Sequence, residues 1–232
     1  MATAILPTSG YDDLRPLMTL MTGDEKHDSS ATSTLDVIWA LYHHVLEVDP
    51  SRPDDPDRDR FFLSKGHGPM AFYAVLAAKG FITREELPGF GSYGSRLGYH
   101  PDRTLVPGVE VSSGSLGHGL GLAVGTALGL RLQHRRAPRV FVLMGDAELE
   151  EGSNAEAIEY AGRIALERLT TVVIDNRSAS LGWPGGIASR FAIAGWATVE
   201  VDGYDHEALQ AAFARPHEDR PLAVVACVAE KS

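Results

Sequence analysis

The sequence predicts an α/β fold with a mostly parallel central sheet and helices on both faces. In the second half of the chain, runs of Val, Ile and Leu alternate with segments of helical periodicity. Each run is continuously apolar, which is typical of parallel strands that are covered on both sides. The composition agrees, because 44% hydrophobic and 22% charged residues over 232 residues are ordinary for a folded globular chain.

The chain is predicted to begin with an arm and to continue as one domain. Residues 1–30 mix prolines, glycines and charges, so we expect a partly ordered arm with a short helix. The remaining residues, 31–232, contain no repeat and no linker and are expected to form a single domain. Apolar residues at helical spacing predict a helix over 33–48. The proline-rich, charged stretch 49–60 predicts a solvated loop.

A second helix is predicted over about 69–79. Gly80 follows it where a left-handed C-terminal cap would sit. Thr83 and Glu86 have the spacing of a capping box, which predicts another short helix. Residues 89–119 hold eight glycines and little periodicity, so a long loop is expected there, and loops of this length are usually functional or disordered.

The alternating half of the chain supplies the sheet. Short, β-branched runs predict buried strands, and the longer amphipathic segments between them predict helices. The predicted strands are 139–144, 170–174, 198–201 and 222–229, and the predicted helices are 154–167 and 205–214.

Charge and cysteine content exclude several functions. The 31 acidic and 21 basic residues give a formal charge of −10, which argues against a nucleic-acid groove or binding to an anionic membrane. The single Cys227 cannot form an internal disulfide or a cysteine cluster for zinc or iron–sulfur. No secretory signal and no apolar run of about 20 residues is recognisable, so a cytoplasmic protein is expected.

Two predicted strands end in residues that suit a metal ion. Gly145 and Asp146 follow the first strand, and Asn176 follows the second strand thirty residues later. A carboxylate and an amide oxygen at neighbouring strand ends suit Mg²⁺, which fills its remaining positions with phosphate oxygens and water. Gly145 lets a ligand approach the backbone, and the following helix offers N–H groups to an anion. Each piece alone is also what an ordinary turn or helix cap would show.

Several segments resemble the motifs of transketolases, in the order of that family and over about residues 20–228. The Gly145-Asp146 pair followed by Asn176 resembles the thiamine diphosphate motif. The other segments resemble the Ser-x-Gly-His-Gly, Gly-His-Pro, Thr-Gly-Pro-Leu-Gly-Gln-Gly and Gly-Asp-Gly-x-x-x-Glu-Gly motifs. They are Phe62-Leu-Ser-Lys-Gly-His-Gly68, Tyr99-His-Pro101, Val109-Glu-Val-Ser-Ser-Gly-Ser-Leu-Gly-His-Gly119 and Gly145-Asp-Ala-Glu-Leu-Glu-Glu-Gly152.

The resemblance implies a thiamine diphosphate-binding fold and a set of cofactor ligands. Asp146, the Asn176 side chain and the backbone carbonyl of Ser178 would hold a divalent cation, Mg²⁺ or alternatively Ca²⁺ or Mn²⁺. The cation would bridge to the cofactor diphosphate, against which Gly145 and Ala147 would lie.

Further residues are implied around the rest of the cofactor. His67 would contact the diphosphate or face the reacting centre. Gly114 and Leu116 would pass beneath the aminopyrimidine, the first by a main-chain contact and the second by apolar packing. Glu151 would lie in the subunit contact and couple two cofactor sites.

Two more histidines are implied in the substrate channel, where the sequence departs from the family. His27 and His100 would donate hydrogen bonds to substrate hydroxyls or move protons. His27 lies in a stretch that retains little of the family motif, and Tyr99 replaces the glycine that usually precedes His100. His118 replaces a customary glutamine that faces the cofactor.

Glycines recur every four residues from the end of the 109–119 segment onward, at Gly117, Gly121, Gly125 and Gly129. Such a stripe is explained by close helix packing inside one core. The family resemblance instead places this helix near a subunit interface.

The resemblance implies a component of a split enzyme. The chain corresponds to the N-terminal, diphosphate-binding part, so a C-terminal subunit with the pyrimidine-binding domain is expected as partner, in an α2β2 heterotetramer. The implied reaction transfers a two-carbon ketol unit from a ketose to an aldehyde acceptor. An alternative is transfer of a two-carbon unit to a carrier-protein thiol, and a third is a non-catalytic homologue. A nicotinamide-binding domain is disfavoured, because no Gly-x-Gly-x-x-Gly occurs at the first strand–helix turn.

Overall fold

Parallel strands form the centre of the structure, a computed structural model that describes residues 10–21, 32–217 and 219–228. Within these residues the sheet has five strands, hydrogen-bonded in the order β1-β2-β3-β5-β4 with every neighbouring pair parallel. The strands are β1 (Arg60–Leu63), β2 (Val140–Gly145), β3 (Leu169–Asp175), β4 (Ala197–Asp202) and β5 (Leu222–Cys227). The predicted α/β class and parallel sheet are confirmed.

Helices cover both faces of this sheet. They are α1 (Leu14–Met18), α2 (Leu35–Ala40), α3 (Met70–Ala78), α4 (His118–Leu132), α5 (Gly152–Arg163), α6 (Gly186–Ile193) and α7 (His206–Phe213). Along β1, Phe61 and Leu63 pack with α1, α2, α3 and α7, whereas Phe62 points to the opposite core with α4, α5 and α6. This alternation is the period of a strand that is buried on both faces.

The first half of the chain departs from prediction at two places. Residues 49–60 were expected to be solvated, yet Arg60 begins β1 and Asp59 is only 2% exposed. Asp59 is buried because it pairs with Arg139, whose Nη2 lies 2.6 Å from Asp59 Oδ2, and accepts a hydrogen bond from the Arg139 backbone N–H. The predicted helix over 33–48 continues from α2 as a π-helical turn (Leu41–Val45) and ends at Val45.

The turn signals of the sequence are confirmed. Gly80 adopts a left-handed φ of +84° just after α3. The backbone N–H of Thr83 donates to Glu86 Oε2 at 2.7 Å, which completes the predicted capping box of a 3₁₀ helix (Arg84–Gly89). Residues 90–117, all of which the structure describes, contain no strand or helix, in agreement with the predicted loop.

Two elements differ from the predicted pattern in the second half. Helix α5 ends at Arg163, short of the predicted Glu167, because Ala165 takes a left-handed φ of +51° before β3. Helix α6 was not predicted. None of the helices in the described parts of the chain is long and apolar enough to cross a membrane.

The predicted arm over 1–30 is described only from residue 10 to residue 21. A 3₁₀ turn (Tyr11–Asp13) leads there into α1, so the short helix expected in the arm is present. His27, which the resemblance placed in the substrate channel, lies outside the described residues.

Candidate functional site

The carboxyl ends of β2 and β3 bring the predicted metal ligands to one edge of the sheet. Gly145 pairs with Ile174 in the register of the two strands, so Asp146 and Asn176 both lie just beyond it. Both side chains are buried, at 1% and 4% exposure. Ligands of open parallel sheets bind at this edge, which makes it the candidate site.

Asp146 fixes the loop that follows β3. Its Oδ1 accepts hydrogen bonds from the Ala147 N–H at 2.8 Å and the Ser178 Oγ at 2.5 Å. Its Oδ2 accepts from the backbone N–H groups of Ser178 at 2.7 Å and Ala179 at 3.3 Å. The structure therefore brings Ser178 directly against Asp146, as a carbonyl ligand at that position would require.

Asn176 has a buried oxygen without a partner. Its Oδ1 makes no hydrogen bond in the described structure, although the atom is inaccessible to solvent. An unsatisfied buried acceptor costs about 1–3 kcal/mol, and such atoms are rare in folded proteins. A cation coordinated at this edge would satisfy it.

The residues present fit a hard divalent cation. One carboxylate beside one amide oxygen is the kind of oxygen set that Mg²⁺ takes when phosphate and water complete its coordination. In the described part of the chain, no three or more His, Cys, Asp or Glu side chains cluster in a way that could hold a metal. The candidate site therefore depends on amide and main-chain oxygens next to Asp146.

A buried glutamate that the sequence reasoning missed connects three glycine-rich segments. Glu148 is 2% exposed, and its carboxylate accepts hydrogen bonds from the Ser64 hydroxyl at 2.6 Å, the Gly117 N–H at 3.2 Å and the Gly145 N–H at 2.9 Å. Burial raises the pKa of Glu148, while these hydrogen bonds and the nearby Lys65 ammonium oppose that rise. Its position three residues after Gly145, in capping-box spacing, was the available signal.

Ser64 links Glu148 to helix α4 by hydrogen bonds. The Gly119 N–H donates to Ser64 Oγ at 3.2 Å, so the Ser64 hydroxyl proton is free to point to Glu148. A Cβ atom added at Gly119 would lie 2.2 Å from Ser64 Cβ. Only glycine at position 119 allows the helix to come this close to the end of β1.

Two predicted histidines and a predicted glycine are neighbours. The rings of His67 and His100 have centroids 5.8 Å apart, and both side chains are exposed. His100 Nδ1 lies 3.0 Å from the Gly66 carbonyl oxygen, which can only accept, so this nitrogen carries the proton. Gly114 has a φ of +119°, and a Cβ added there would lie 3.2 Å from the His100 ring.

The residues predicted for the cofactor ring and the subunit contact lie at the surface. Leu116 is 51% exposed, and His118 and Glu151 are also exposed. Glu151 packs against the backbone of Gly117, where an added Cβ would lie 2.6 Å from Glu151 Cβ. Gly117 has a φ of +80°, so both its conformation and its surroundings require glycine.

The glycine stripe of α4 does not pack inside the chain beyond its first turn. No atom of the described residues lies within 4 Å of a Cβ added at Gly121, Gly125 or Gly129. Interior packing is therefore wrong as an explanation for these three glycines, because they border open space. Exposed leucines flank them, at Leu122 and Leu132.

A carboxylate and an amide side chain beyond the carboxyl ends of adjacent parallel strands lie where α/β domains with open sheets bind their ligands. Residues 19–229 match the family described as "Transketolase, thiamine diphosphate binding domain". The chain therefore belongs to the transketolase family, a family of transferases, and carries its thiamine diphosphate-binding domain.

Three relatives illustrate this membership. The chain is 59% identical over 222 residues to "Ferredoxin fas2" of Rhodococcoides fascians, covering 96% of this chain and 73% of that protein. It is 38% identical over 187 residues to an apulose-4-phosphate transketolase subunit of Phocaeicola vulgatus, covering 78% of this chain and 66% of that protein. A solved transketolase variant from Pichia stipitis superposes with a TM-score of 0.79 at 26% identity, covering 94% of this chain and 36% of that one.

The chain covers only part of the length of each of these relatives. The chain spans about a third of the solved transketolase and two thirds of the Phocaeicola protein. The word ferredoxin belongs to the Rhodococcoides protein. An iron–sulfur cluster is ordinarily held by four cysteines, and this chain has one.

Proposed function

We propose that this chain is the diphosphate-binding component of a two-component, thiamine diphosphate-dependent, transketolase-like enzyme. The reaction cleaves a ketose donor and transfers a two-carbon ketol unit to an aldehyde acceptor. The observation that carries the proposal is the buried, unpartnered Oδ1 of Asn176 at the strand edge that also holds Asp146. The family match and a relative named as a transketolase subunit support it.

The proposed metal is Mg²⁺, with Ca²⁺ or Mn²⁺ as substitutes. Asp146, Asn176 Oδ1 and the Ser178 carbonyl would hold it, and it would supply positive charge to balance the diphosphate. The N–H groups of Gly145 and Ala147 already donate to Glu148 and Asp146. These two residues are therefore proposed to provide a close backbone surface for the diphosphate, and not hydrogen-bond donors.

Thiamine diphosphate, when bound, supplies a carbanion nucleophile and an electron sink for cleavage beside a ketone carbonyl. The chain's own contribution near the substrate is a pair of exposed imidazoles, His67 and His100. Imidazoles exchange protons near neutral pH, so this pair can hold substrate hydroxyls and move protons between them. His27 is proposed to join them in the substrate channel.

The partner is proposed to be a polypeptide with the pyrimidine-binding domain, in an α2β2 heterotetramer. Gly114 and Leu116 would contact the aminopyrimidine, and Glu151 would lie at the subunit contact. The exposed Leu116 and the open glycine face of α4 support this, because both present small or apolar surface that no described residue covers. A single cysteine suits a cytoplasmic location.

The test is calorimetric titration of thiamine diphosphate with Mg²⁺ into the complex of both subunits. We expect Asn176→Ala to weaken Mg²⁺-dependent binding by about tenfold or more, because one ligand oxygen is lost. The fold should persist, since that oxygen makes no hydrogen bond to lose. Asp219→Asn, an exposed change at the opposite end of the sheet, serves as control.

Binding that is unchanged by Asn176→Ala, or by removal of Mg²⁺ with a chelator, would overturn the metal assignment. Ketol transfer to an aldehyde is then measured with the same complex. Transfer to a carrier-protein thiol without any transfer to aldehydes would contradict the proposed acceptor and leave the cofactor assignment intact.

A further inference from the structure

An arginine-rich cavity lies at the amino-terminal end of the sheet, opposite the candidate site. It has a volume of about 790 Å³ and is bounded by the residues after α4, those before β2 and β3, and those after α7. Two histidines line it together with six arginines: Arg131, Arg135, Arg136, Arg139, Arg168 and Arg215. This concentration of positive charge stands in a chain whose formal charge is −10.

Carboxylates account for some of these arginines. Arg139 pairs with Asp59, and Arg135 Nη1 lies 2.6 Å from Asp57 Oδ1. Arg131 lies 4.0 Å from Glu167, the acidic residue in the cavity lining. Arg131 is also in the last turn of α4, where a cation is favoured by the helix dipole.

Three guanidinium groups have no acidic partner in the described parts of the chain. Within residues 10–21, 32–217 and 219–228, no carboxylate lies within ion-pair distance of Arg136, Arg168 or Arg215. Arg168 Nη1 donates to the Ala137 carbonyl at 3.3 Å, and Arg215 Nη1 donates to the Thr198 carbonyl at 3.0 Å. These bonds orient two of the side chains, and no carboxylate of the described residues compensates their charge.

Charge and shape point to one class of ligand. Each guanidinium has five N–H donors, so an arginine that gives one Nη1 bond to a carbonyl keeps donors for an anion. Guanidinium forks match phosphate geometry, and charge-assisted bonds of this kind are roughly twice as strong as neutral ones. A volume of about 790 Å³ is within the range of small-molecule sites, roughly 300–1,000 Å³.

We propose that this cavity binds a small anion with two or more phosphate groups. The site is separate from the strand edge that holds Asp146 and Asn176. Strand β2 runs from the cavity to that edge, from Val140 to Gly145, which is about 16 Å at a rise of roughly 3.3 Å per residue.

The experiment titrates sodium tripolyphosphate, and separately ATP, into the purified protein by calorimetry. A chelator is present throughout, so that the metal-dependent candidate site cannot capture the probe. We expect saturable binding of one anion per chain, weakened about tenfold by Arg136→Ala and by roughly a hundredfold or more in the triple variant Arg136→Ala/Arg168→Ala/Arg215→Ala.

Arg84→Ala is the matched control, because Arg84 is exposed, lies outside the cavity and carries the same charge. Its affinity for both probes should equal that of the wild type. Arg136 is exposed and makes no side-chain bond in the described structure, so Arg136→Ala tests the site even if the triple variant unfolds. Thermal melts verify the fold of each variant.

Three results would overturn the proposal. The first is an affinity that Arg136→Ala leaves unchanged. The second is an equal loss in Arg84→Ala, which would show a general effect of net charge. The third is binding of long polyanions such as heparin without binding of tripolyphosphate or ATP.

Discussion

The first turn of helix α4 and the remainder of that helix use glycine for opposite purposes. At Gly119 an added Cβ would lie 2.2 Å from Ser64 Cβ, whereas at Gly121, Gly125 and Gly129 it would meet no atom within 4 Å. The same residue type at regular spacing thus satisfies two constraints. In the first turn, glycine allows a close contact with Ser64 inside the chain. In the later turns, the glycines leave a face without side chains that another surface can approach.

The inner contact depends on hydrogen bonds that only a close backbone approach allows. The N–H groups of Gly117 and Gly119 reach Glu148 and Ser64, each at 3.2 Å. Both donors are buried, so removing an acceptor would leave an unsatisfied group. This region is therefore determined by packing within the chain.

The glycines on the open side of α4 destabilise the helix, and no packing contact with the described residues offsets this loss. A glycine in a helix interior is less stable than alanine by roughly 0.5–1 kcal/mol. Three such positions on one open face have no contact with the described residues of the chain that would explain them. A partner that packs closely on this face would explain them, in agreement with the proposed two-component enzyme.

The strongest challenge to this comparison is Gly119→Ala. We expect a loss of about 3 kcal/mol or more in the free energy of unfolding, because the new methyl overlaps Ser64 and breaks the bond between Gly119 and Ser64. Urea unfolding of the isolated chain measures it. A loss below about 1 kcal/mol would show that the inner contact is loose and that the two halves of α4 do not differ.

Glu148→Gln tests the inner contact through its pH dependence. Burial raises the pKa of Glu148 above the ordinary value of 4.5, so the folded chain keeps this proton to higher pH than the unfolded chain does. The contribution of Glu148 to wild-type stability therefore falls as the pH rises from about 4.5 to the folded pKa and then levels off. Glutamine cannot titrate, so the variant lacks this slope.

The Gln variant also places an amide nitrogen where one carboxylate oxygen accepted a hydrogen bond. We expect it to be less stable than the wild type by about 1–3 kcal/mol at pH 5, with a smaller difference at pH 8. Glu150→Gln is the control. The pKa of Glu150 is lowered by the Ser180 hydroxyl and the Leu181 N–H, so its slope has the opposite sign. A difference that is independent of pH would contradict the raised pKa.

The smallest effect is expected from a substitution on the open face of α4. Gly125→Ala should stabilise the isolated chain by about 0.5–1 kcal/mol, since alanine is the better helix former and nothing obstructs its methyl group. The same change should weaken association with the proposed partner, measured by analytical ultracentrifugation. Unchanged association would remove the α4 flank from the interface.

The sequence predicted what depends on local pattern. Strands β2, β3 and β5 are buried on both faces, so their continuous apolar runs were recognisable. Strand β1 was not predicted, because its four residues, Arg60 to Leu63, follow a charged, proline-rich loop and form too short an apolar run. Helix α6 was not predicted, because Gly185 and Gly186 lie at its start and glycines ordinarily indicate a turn.

The candidate site was predictable to the extent that it follows the sheet. Asp146 and Asn176 meet because their strands are adjacent and in register. Glu148 was missed because its role arises only when Ser64 and Gly117, distant in the chain, converge on it. The arginine cavity was missed for the same reason, since its residues come from separate segments.

The strand order has a consequence for the time course of folding. The paired residues of β2 and β3, Val140 and Leu169, are 29 positions apart in the sequence. Those of β1 and β2, Arg60 and Val140, are 80 positions apart. Loop closure makes the longer search less favourable, so we expect β1 to dock after a β2–β3 nucleus has formed. Ser64 follows β1, and its bond to Glu148 would then be made late. Changes at Glu148 should accordingly speed unfolding and leave the refolding rate nearly unchanged.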